Sequence, residues 1–210
     1  MILHKDIYSI LLCVLVTYTS SSEATTILGM DIDKVANDSE LVFEGEVILS
    51  ETRQNSNTGI IHTYVTFEVH DVIKGDFSAD TIELKFAGGT FRGHIVEVRG
   101  LEIPKEGEEG IYFVESTSRD LLNPILGWSQ GHFIIEQESG ERRVKTINLQ
   151  AVTDIQSVSS IPSTIKKPQV IIEGDGDVAA GVLVESGASS IERALTVKEF
   201  KNRILRLLEN

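Results

Sequence analysis

The chain has 210 residues, and its 32 acidic and 19 basic side chains give a formal net charge of −13. A field of this sign repels phosphate backbones and anionic lipid headgroups, so the composition argues against nucleic acid and membrane surfaces as partners. The single cysteine, Cys13, lies in an N-terminal apolar run. If that run is removed, disulfides, cysteine nucleophiles and thiolate zinc sites are excluded together.

The N-terminus has the pattern of a secretory signal. Residues 1–6 include a lysine, residues 7–16 are apolar, and a polar stretch ends in the small-residue site Ser22-Glu23-Ala24. The apolar run is too short to span a bilayer, which takes about 20 residues. We therefore expect a signal peptide over 1–24 that is cleaved after Ala24. Its loss would leave an exported chain, periplasmic or extracellular, without a membrane-inserted segment.

The next hundred or so residues indicate a mainly β domain. Residues 31–37 predict a short helix, and residues 41–49 predict a strand in which Gly45 favours a bulge or a sharp bend. Residues 61–69 alternate between apolar and polar side chains and predict a long strand. Further strands are expected at 82–86, 111–115, 128–136 and 143–147, with a glycine-rich loop at 88–93 and a hairpin turn at Ser139-Gly140.

Short strands separated by turn signals, without helical periods between them, favour a barrel or a sandwich over a parallel sheet. Gly45 and the long second strand favour a small, curled, OB-like barrel over residues 25–149. Short helices are expected to flank it.

Residues 150–195 leave two alternatives open. The stretch contains Pro162 and Pro168 and no aromatic side chain, which is typical of a linker. Its short apolar runs at 170–172 and 182–184 equally predict added edge strands.

Residues 196–210 predict an amphipathic C-terminal helix. Thr196 and Glu199 have the spacing of a capping box, in which each side chain bonds the backbone amide of the other. An apolar stripe then follows at helical spacing, formed by Phe200, Ile204, Leu207 and Leu208. Because a helix this short is marginal alone, the stripe must dock on the domain or on a partner.

Three segments carry a family resemblance: residues 41–47 (LVFEGEV), residues 64–69 running on to 72–75, and residues 127–133 (GWSQGHF). They resemble a widespread family of uncharacterised exported bacterial proteins. The first two are also distantly similar to the OB-fold domain of tissue inhibitors of metalloproteinases and netrin-type modules. The likeness implies an OB-like fold and makes a protease-inhibitor-like or protease-associated module the alternative function. Those inhibitors begin with a zinc-binding cysteine, whereas the expected mature chain begins at Thr25.

Residues 127–131 (GWSQG) match the GxSxG pattern of hydrolase nucleophile elbows. That elbow leads from a strand into a helix, and its histidine follows the acid further along the chain. Here a predicted strand follows the motif, and no histidine occurs after His132. A hydrolase using Ser129 is therefore only a minor alternative.

Binding chemistry is predicted at two places. Trp128, Gln130 and His132 form one candidate group. Gly127 and Gly131 fit the start of a strand, where the tryptophan would either pack in the core or contact a partner. Phe91 and Arg92, in the glycine-rich loop, form the other. The leading hypothesis is an exported, non-enzymatic binding or protein-interaction module. Its partner would be a protein or a small polar ligand, and no cofactor is expected.

No metal site is expected from spacing. His62 and His70 share a strand face but lie about 26 Å apart at the rise of a strand, too far for one ion. A zinc site that folding assembles from His94 and His132 stays a minor alternative. The acidic, glycine-containing residues 173–177 lack the spacing of a calcium-binding EF-hand and favour a solvated turn.

Overall fold

The computed structural model describes residues 27–158, 170–171 and 178–209. The predicted signal peptide, its cleavage site at Ala24 and the acidic residues 173–177 lie outside this part. Among the described residues, no helix combines the length and the apolar character that a membrane span needs.

The described residues form two α-helices and twelve β-strands. The helices are α1 (Ile32–Asp38) and α2 (Val197–Leu208). The strands are β1 (Ile27–Leu28), β2 (Leu41–Gln54), β3 (Ile61–Lys74), β4 (Thr81–Ala87), β5 (Gly89–Phe91), β6 (His94–Val96), β7 (Glu109–Val114), β8 (His132–Glu138), β9 (Glu141–Thr146), β10 (Ala151–Ile155), β11 (Val170–Ile171) and β12 (Val182–Glu185).

Eight strands form one antiparallel sheet in the order β12-β10-β9-β8-β7-β2-β3-β4. β1 pairs with β11, and β5 pairs with β6 in a separate hairpin. The mainly β fold and the C-terminal helix are therefore confirmed. The closed barrel is not found, because β4 and β12, the two outermost strands of the described sheet, do not pair with each other. Helices pack on one face of this open sheet and a loop on the other, so both faces are buried without closure.

Gly45 marks an irregularity in the sheet, as a glycine in mid-strand predicts. The pairing of β2 with β3 shifts register between Glu44 and Gly45. A Cβ at this position would collide with the carbonyl oxygen of Glu68 and lie 3.0 Å from the ring of Phe43. The glycine therefore lets two strand backbones approach over a buried aromatic ring.

The two faces of the sheet carry separate hydrophobic cores. The helix-side core lies between the sheet and the helices and is built mainly by Ile32, Val35, Val42, Ile111, Phe113, Phe133, Val144, Phe200 and Ile204. The loop-side core lies on the face opposite and is built mainly by Leu41, Phe43, Val65, Phe67, Leu84, Phe86, Tyr112 and Val114. Residues 97–108, here called the strap, contribute Leu101 and Ile103 to the loop-side core.

Two local predictions are wrong. The loop expected at 88–93 is part of the β5–β6 hairpin, whose two turn residues, Arg92 and Gly93, both have left-handed backbone angles (φ 49° and 82°). This geometry matches the twist of the flanking strands. The strand expected at 128–136 begins with a short 3-10 helix, Trp128–Gly131, and becomes β8 only at His132.

The C-terminal helix docks within the chain. Thr196 and Glu199 form the predicted capping box. Phe200, Ile204 and Leu207 are buried in the helix-side core, where the rings of Phe200 and Phe133 lie 4.8 Å apart. The described part of residues 150–195 supplies β10 and β12, which extend the sheet beyond β9, with β12 as the edge strand.

Candidate functional site

Gln130 lies in the interior and ties down the start of the domain. Its side-chain oxygen accepts a 2.7 Å hydrogen bond from the backbone amide of Met30, and its amide nitrogen donates to the carbonyl of Gly127 at 3.0 Å. Gln130 is fully buried. Its role is therefore internal, since it holds the segment that leads into α1.

His132 is also buried and already has a partner. Its Nε2 lies 2.7 Å from a carboxylate oxygen of Glu108, and its ring lies 5.0 Å from the ring of Tyr112. Burial, together with the nearby charge of Glu108, raises the pKa of Tyr112 well above its ordinary value. The phenol therefore stays protonated at neutral pH, in a packed cluster that joins the strap to the loop-side core.

Ser129 lacks the contact that a nucleophile needs. Its side chain is buried, and its hydroxyl has no hydrogen-bond partner in the part of the chain described here. His132, the neighbouring candidate base, bonds Glu108 instead. A catalytic serine is recognised by its hydrogen bond to a base, and the two side chains make none here.

Trp128 lies at a strained turn. Both Gly127 and Trp128 have left-handed backbone angles (φ 67° and 62°), which are uncommon for a bulky residue. The indole is half-buried.

Phe91 and Arg92 lie elsewhere, at the tip of the β5–β6 hairpin, with the guanidinium 5.3 Å from the phenyl ring. Among the described residues, no hydrogen bond, ion pair or ring contact joins the two predicted groups.

A cleft opens beside the β5–β6 hairpin. It encloses about 690 Å³ between the end of β4, the hairpin and the strap. This volume lies in the range of sites that bind small ligands, about 300–1,000 Å³. Its lining consists of Ala87, Gly89, Thr90, Ile95, Val96, Glu97, Val98, Arg99, Gly100, Leu101, Glu102 and Ile103.

The hairpin wall of the cleft is fixed to the sheet. The hydroxyl of Thr63 on β3 donates to the carbonyl of Gly88 at 2.9 Å and lies 3.2 Å from the hydroxyl of Thr52 on β2. Gly89 has a φ of 124°, and a Cβ there would collide with both hydroxyls. Only glycine lets the hairpin cross the sheet this closely.

The strap wall is fixed as well. Leu101 and Ile103 point into the loop-side core. Further along, the backbone amide of Ser50 donates to the Glu106 carboxylate at 2.8 Å, and the amide of Gly107 donates to the carbonyl of Val47 at 2.8 Å. The cleft is therefore a formed feature of the fold.

A second cluster lies on the other face, where α2 meets the sheet. Glu44 is 3% exposed, and its carboxylate forms ion pairs with Arg142 and Lys201. Burial opposes its ionisation, but the hydrogen bonds and charges of the two cations outweigh burial and hold the pKa of Glu44 below its usual value. Lys201 also pairs with Asp71 at 2.8 Å, so this cluster joins the helix to the sheet by charge.

The same cluster contains a set of possible metal ligands. One ligand atom each from Glu44, His70 and Glu109 lies within 4.8 Å of the others. Arg142 binds both carboxylates and Lys201 binds Glu44, so side-chain cations already balance these charges. Histidine spacing could not reveal this group, because its members come from β2, β3 and β7 and meet only through strand pairing.

Sequence reasoning also missed most of the cleft. Phe91 and Arg92 lie at the tip of the hairpin that forms one wall, but no binding role was predicted for the strap. The alternation of Val96 and Val98 with Glu97 and Arg99, where β6 leads into the strap, is typical of extended backbone.

Comparisons with protein-family models, curated proteins and solved structures found no match to this chain.

Proposed function

We propose that this protein is an exported, non-enzymatic binding module whose ligand occupies the cleft between the β5–β6 hairpin and the strap. One observation carries the proposal: two fixed walls leave a large apolar side chain in the open between them. Ile95 lines the cleft and is 67% exposed, the highest value among the large apolar side chains described. Clustered apolar exposure of this kind is typical of interaction sites.

The chemistry of the lining favours binding over catalysis. Thr90 is its only hydroxyl, and it contains no histidine, cysteine, lysine or tyrosine. The groups that resemble catalytic residues, Ser129, His132 and Tyr112, are buried elsewhere. The cleft therefore offers apolar contact and a few charges to a ligand, without a nucleophile and base side by side.

The signal pattern at residues 1–24 supports an exported module, periplasmic or extracellular. The acidic composition favours a protein or a small polar ligand over nucleic acid and membrane surfaces. The protease-inhibitor alternative draws no support from the described chain. The amide of Met30 is bound by Gln130, and β1 pairs with β11. Thr25 and Thr26, where such an inhibitor would present its free amine, lie outside the described residues.

The proposal is tested by NMR on protein labelled at isoleucine, leucine and valine methyl groups. The probes are a mixture of small polar compounds, amino acids and short peptides at millimolar concentration. We expect at least one probe to shift the methyl resonances of Ile95 and Val96. Leu183 is the control, because it is 41% exposed and lies on β12, at the opposite edge of the sheet from β4.

Methyl shifts that spread equally over Ile95 and Leu183 would indicate unspecific contact and contradict the proposal. So would a screen in which no probe moves the cleft methyls.

A further inference from the structure

We infer that the ligand of this cleft is an extended, basic segment of a partner polypeptide that pairs with the open edge of β6. The inference rests on the proposed function, because it names the class of ligand for the same site. Three features of the cleft carry it: the strand edge, the aliphatic lining and the charge.

The hairpin geometry shows which backbone groups of β6 are left unpaired by β5. In a hairpin with a two-residue turn, the residues next to the turn form a hydrogen-bonded pair, and such pairs alternate with non-bonded ones. Phe91 pairs with His94, so Thr90 and Ile95 form the non-bonded pair. The N–H and C=O of Ile95 therefore point away from β5.

No other described segment bonds this edge. β6 pairs only with β5, and no backbone hydrogen bond from another described segment reaches Ile95. Exposed strand edges of this kind pair readily with an incoming extended chain, whose main-chain hydrogen bonds supply affinity. The open edge thus favours a polypeptide over a compact small molecule.

The lining selects aliphatic side chains. Five large aliphatic residues line the cleft, namely Ile95, Val96, Val98, Leu101 and Ile103, and no aromatic ring does. Rings that stack on sugars or nucleic-acid bases are therefore lacking from the lining. Because side chains of an extended peptide alternate, one set can meet this aliphatic wall while the other set remains available for the exposed polar side chains of the lining.

The charge selects a basic segment. Two carboxylates of the lining, those of Glu97 and Glu102, are exposed, against one guanidinium, that of Arg99. The whole chain carries a formal charge of −13, which attracts cations and repels acidic chains. A peptide in which valine alternates with lysine combines all three features.

The test uses three capped peptides, titrated into the methyl-labelled protein. The first alternates valine with lysine, the second alternates valine with glutamate, and the third is the lysine peptide N-methylated at its central valine. We expect the lysine peptide to bind about fivefold more tightly than the glutamate peptide, the scale of two exposed ion pairs. N-methylation should weaken binding about tenfold, because it removes one main-chain hydrogen-bond donor.

Variants of the protein test whether Glu97 and Glu102 cause the preference for the lysine peptide. Glu97→Gln combined with Glu102→Gln should bring the ratio of lysine to glutamate affinity close to one. The matched control, Glu51→Gln with Glu192→Gln, alters two exposed carboxylates that do not line the cleft and should leave the ratio unchanged. Equal loss of preference in both double variants would mean that only the overall charge acts, and would overturn selection by the cleft.

The failures of the two proposals are distinguishable. If small polar compounds shift the methyls of Ile95 and no peptide does, the cleft binds a ligand but the polypeptide inference is wrong. If the N-methylated peptide binds as tightly as its parent, strand pairing is wrong. If nothing shifts these methyls, the proposed function fails as well.

Discussion

The two faces of the sheet are buried by different means. On the helix side, α2 inserts Phe200 and Ile204 into the core, and Lys201 adds an ion pair to the buried Glu44. On the loop side, the cover is the strap, whose Leu101 and Ile103 are only partly buried. A regular helix satisfies its own backbone and can seal a face, whereas an irregular segment leaves polar backbone and gaps at its margins.

From this difference we expect stability and binding to depend on opposite faces of the sheet. The helix-side core holds the larger contiguous group of buried apolar residues together with the ion pairs of α2. The loop side ends in the cleft and in the exposed edge of β6. We therefore expect substitutions on the helix side to alter unfolding, and substitutions around the cleft to alter binding with little effect on unfolding.

The largest loss of unfolding free energy is expected for a substitution at Phe200. Replacing Phe200 with alanine empties a fully buried aromatic site against Phe133 and should cost about 3 kcal/mol of unfolding free energy. Denaturant titration should show a lower midpoint with a nearly unchanged slope. Leu205→Ala, on the exposed side of the same helix, is the control and should change the free energy by less than about 0.5 kcal/mol. An unchanged midpoint for the Phe200 variant would refute the docking of α2.

A smaller loss of unfolding free energy is expected for Glu44→Gln. The change leaves Arg142 and Lys201 without a buried charged partner and should cost about 2 kcal/mol at neutral pH. Because folding lowers the pKa of Glu44, its contribution is present above the ordinary value of 4.5 and is lost as the pH falls through the lowered value.

The unfolding free energy of the wild type should therefore drop more steeply below about pH 4.5 than that of the Glu44→Gln variant. Denaturant titrations at several pH values measure both curves. Glu51→Gln, at an exposed ion pair with Arg53, is the control and should match the wild-type curve. Parallel curves for Glu44→Gln and the wild type would show that Glu44 does not titrate with folding.

A substitution in the strap should lower the unfolding free energy by a still smaller amount. Leu101→Ala removes a partly buried contact with the loop-side core and should cost about 1 kcal/mol. Local opening of the strap should increase, so its amides should exchange hydrogen severalfold faster while those of α2 do not. Leu122→Ala, at a side chain that is mostly exposed, serves as the control. Equal exchange in the strap of both variants would show that Leu101 does not hold it.

The parts of the fold that follow local rules were predictable. The capping box at Thr196, the buried stripe around Phe200 and the irregularity at Gly45 each depend on a few neighbouring residues, and the structure shows all three. The closed barrel was wrong because sheet closure depends on whether distant strands meet. Neither β4 nor β12 carries a local signal for that.

The candidate site was less predictable for the same reason. Gln130 and His132 were expected at a binding surface, but their polarity serves internal bonds to Met30 and Glu108. A polar side chain in a sequence does not reveal whether its partner is a ligand or another part of the chain. The cleft, in turn, is formed by the strap and a hairpin that the sequence presented as a loop.

A bulky side chain placed in the cleft should prevent the proposed ligand from binding. Thr90 and Thr81 are both exposed strand threonines, but only Thr90 lines the cleft. With the tightest-binding probe of the NMR screen, Thr90→Trp should weaken binding at least tenfold, whereas Thr81→Trp should bind as the wild type does. Both variants should unfold at the wild-type denaturant midpoint. Wild-type affinity in a correctly folded Thr90→Trp variant would show that the ligand binds outside the cleft.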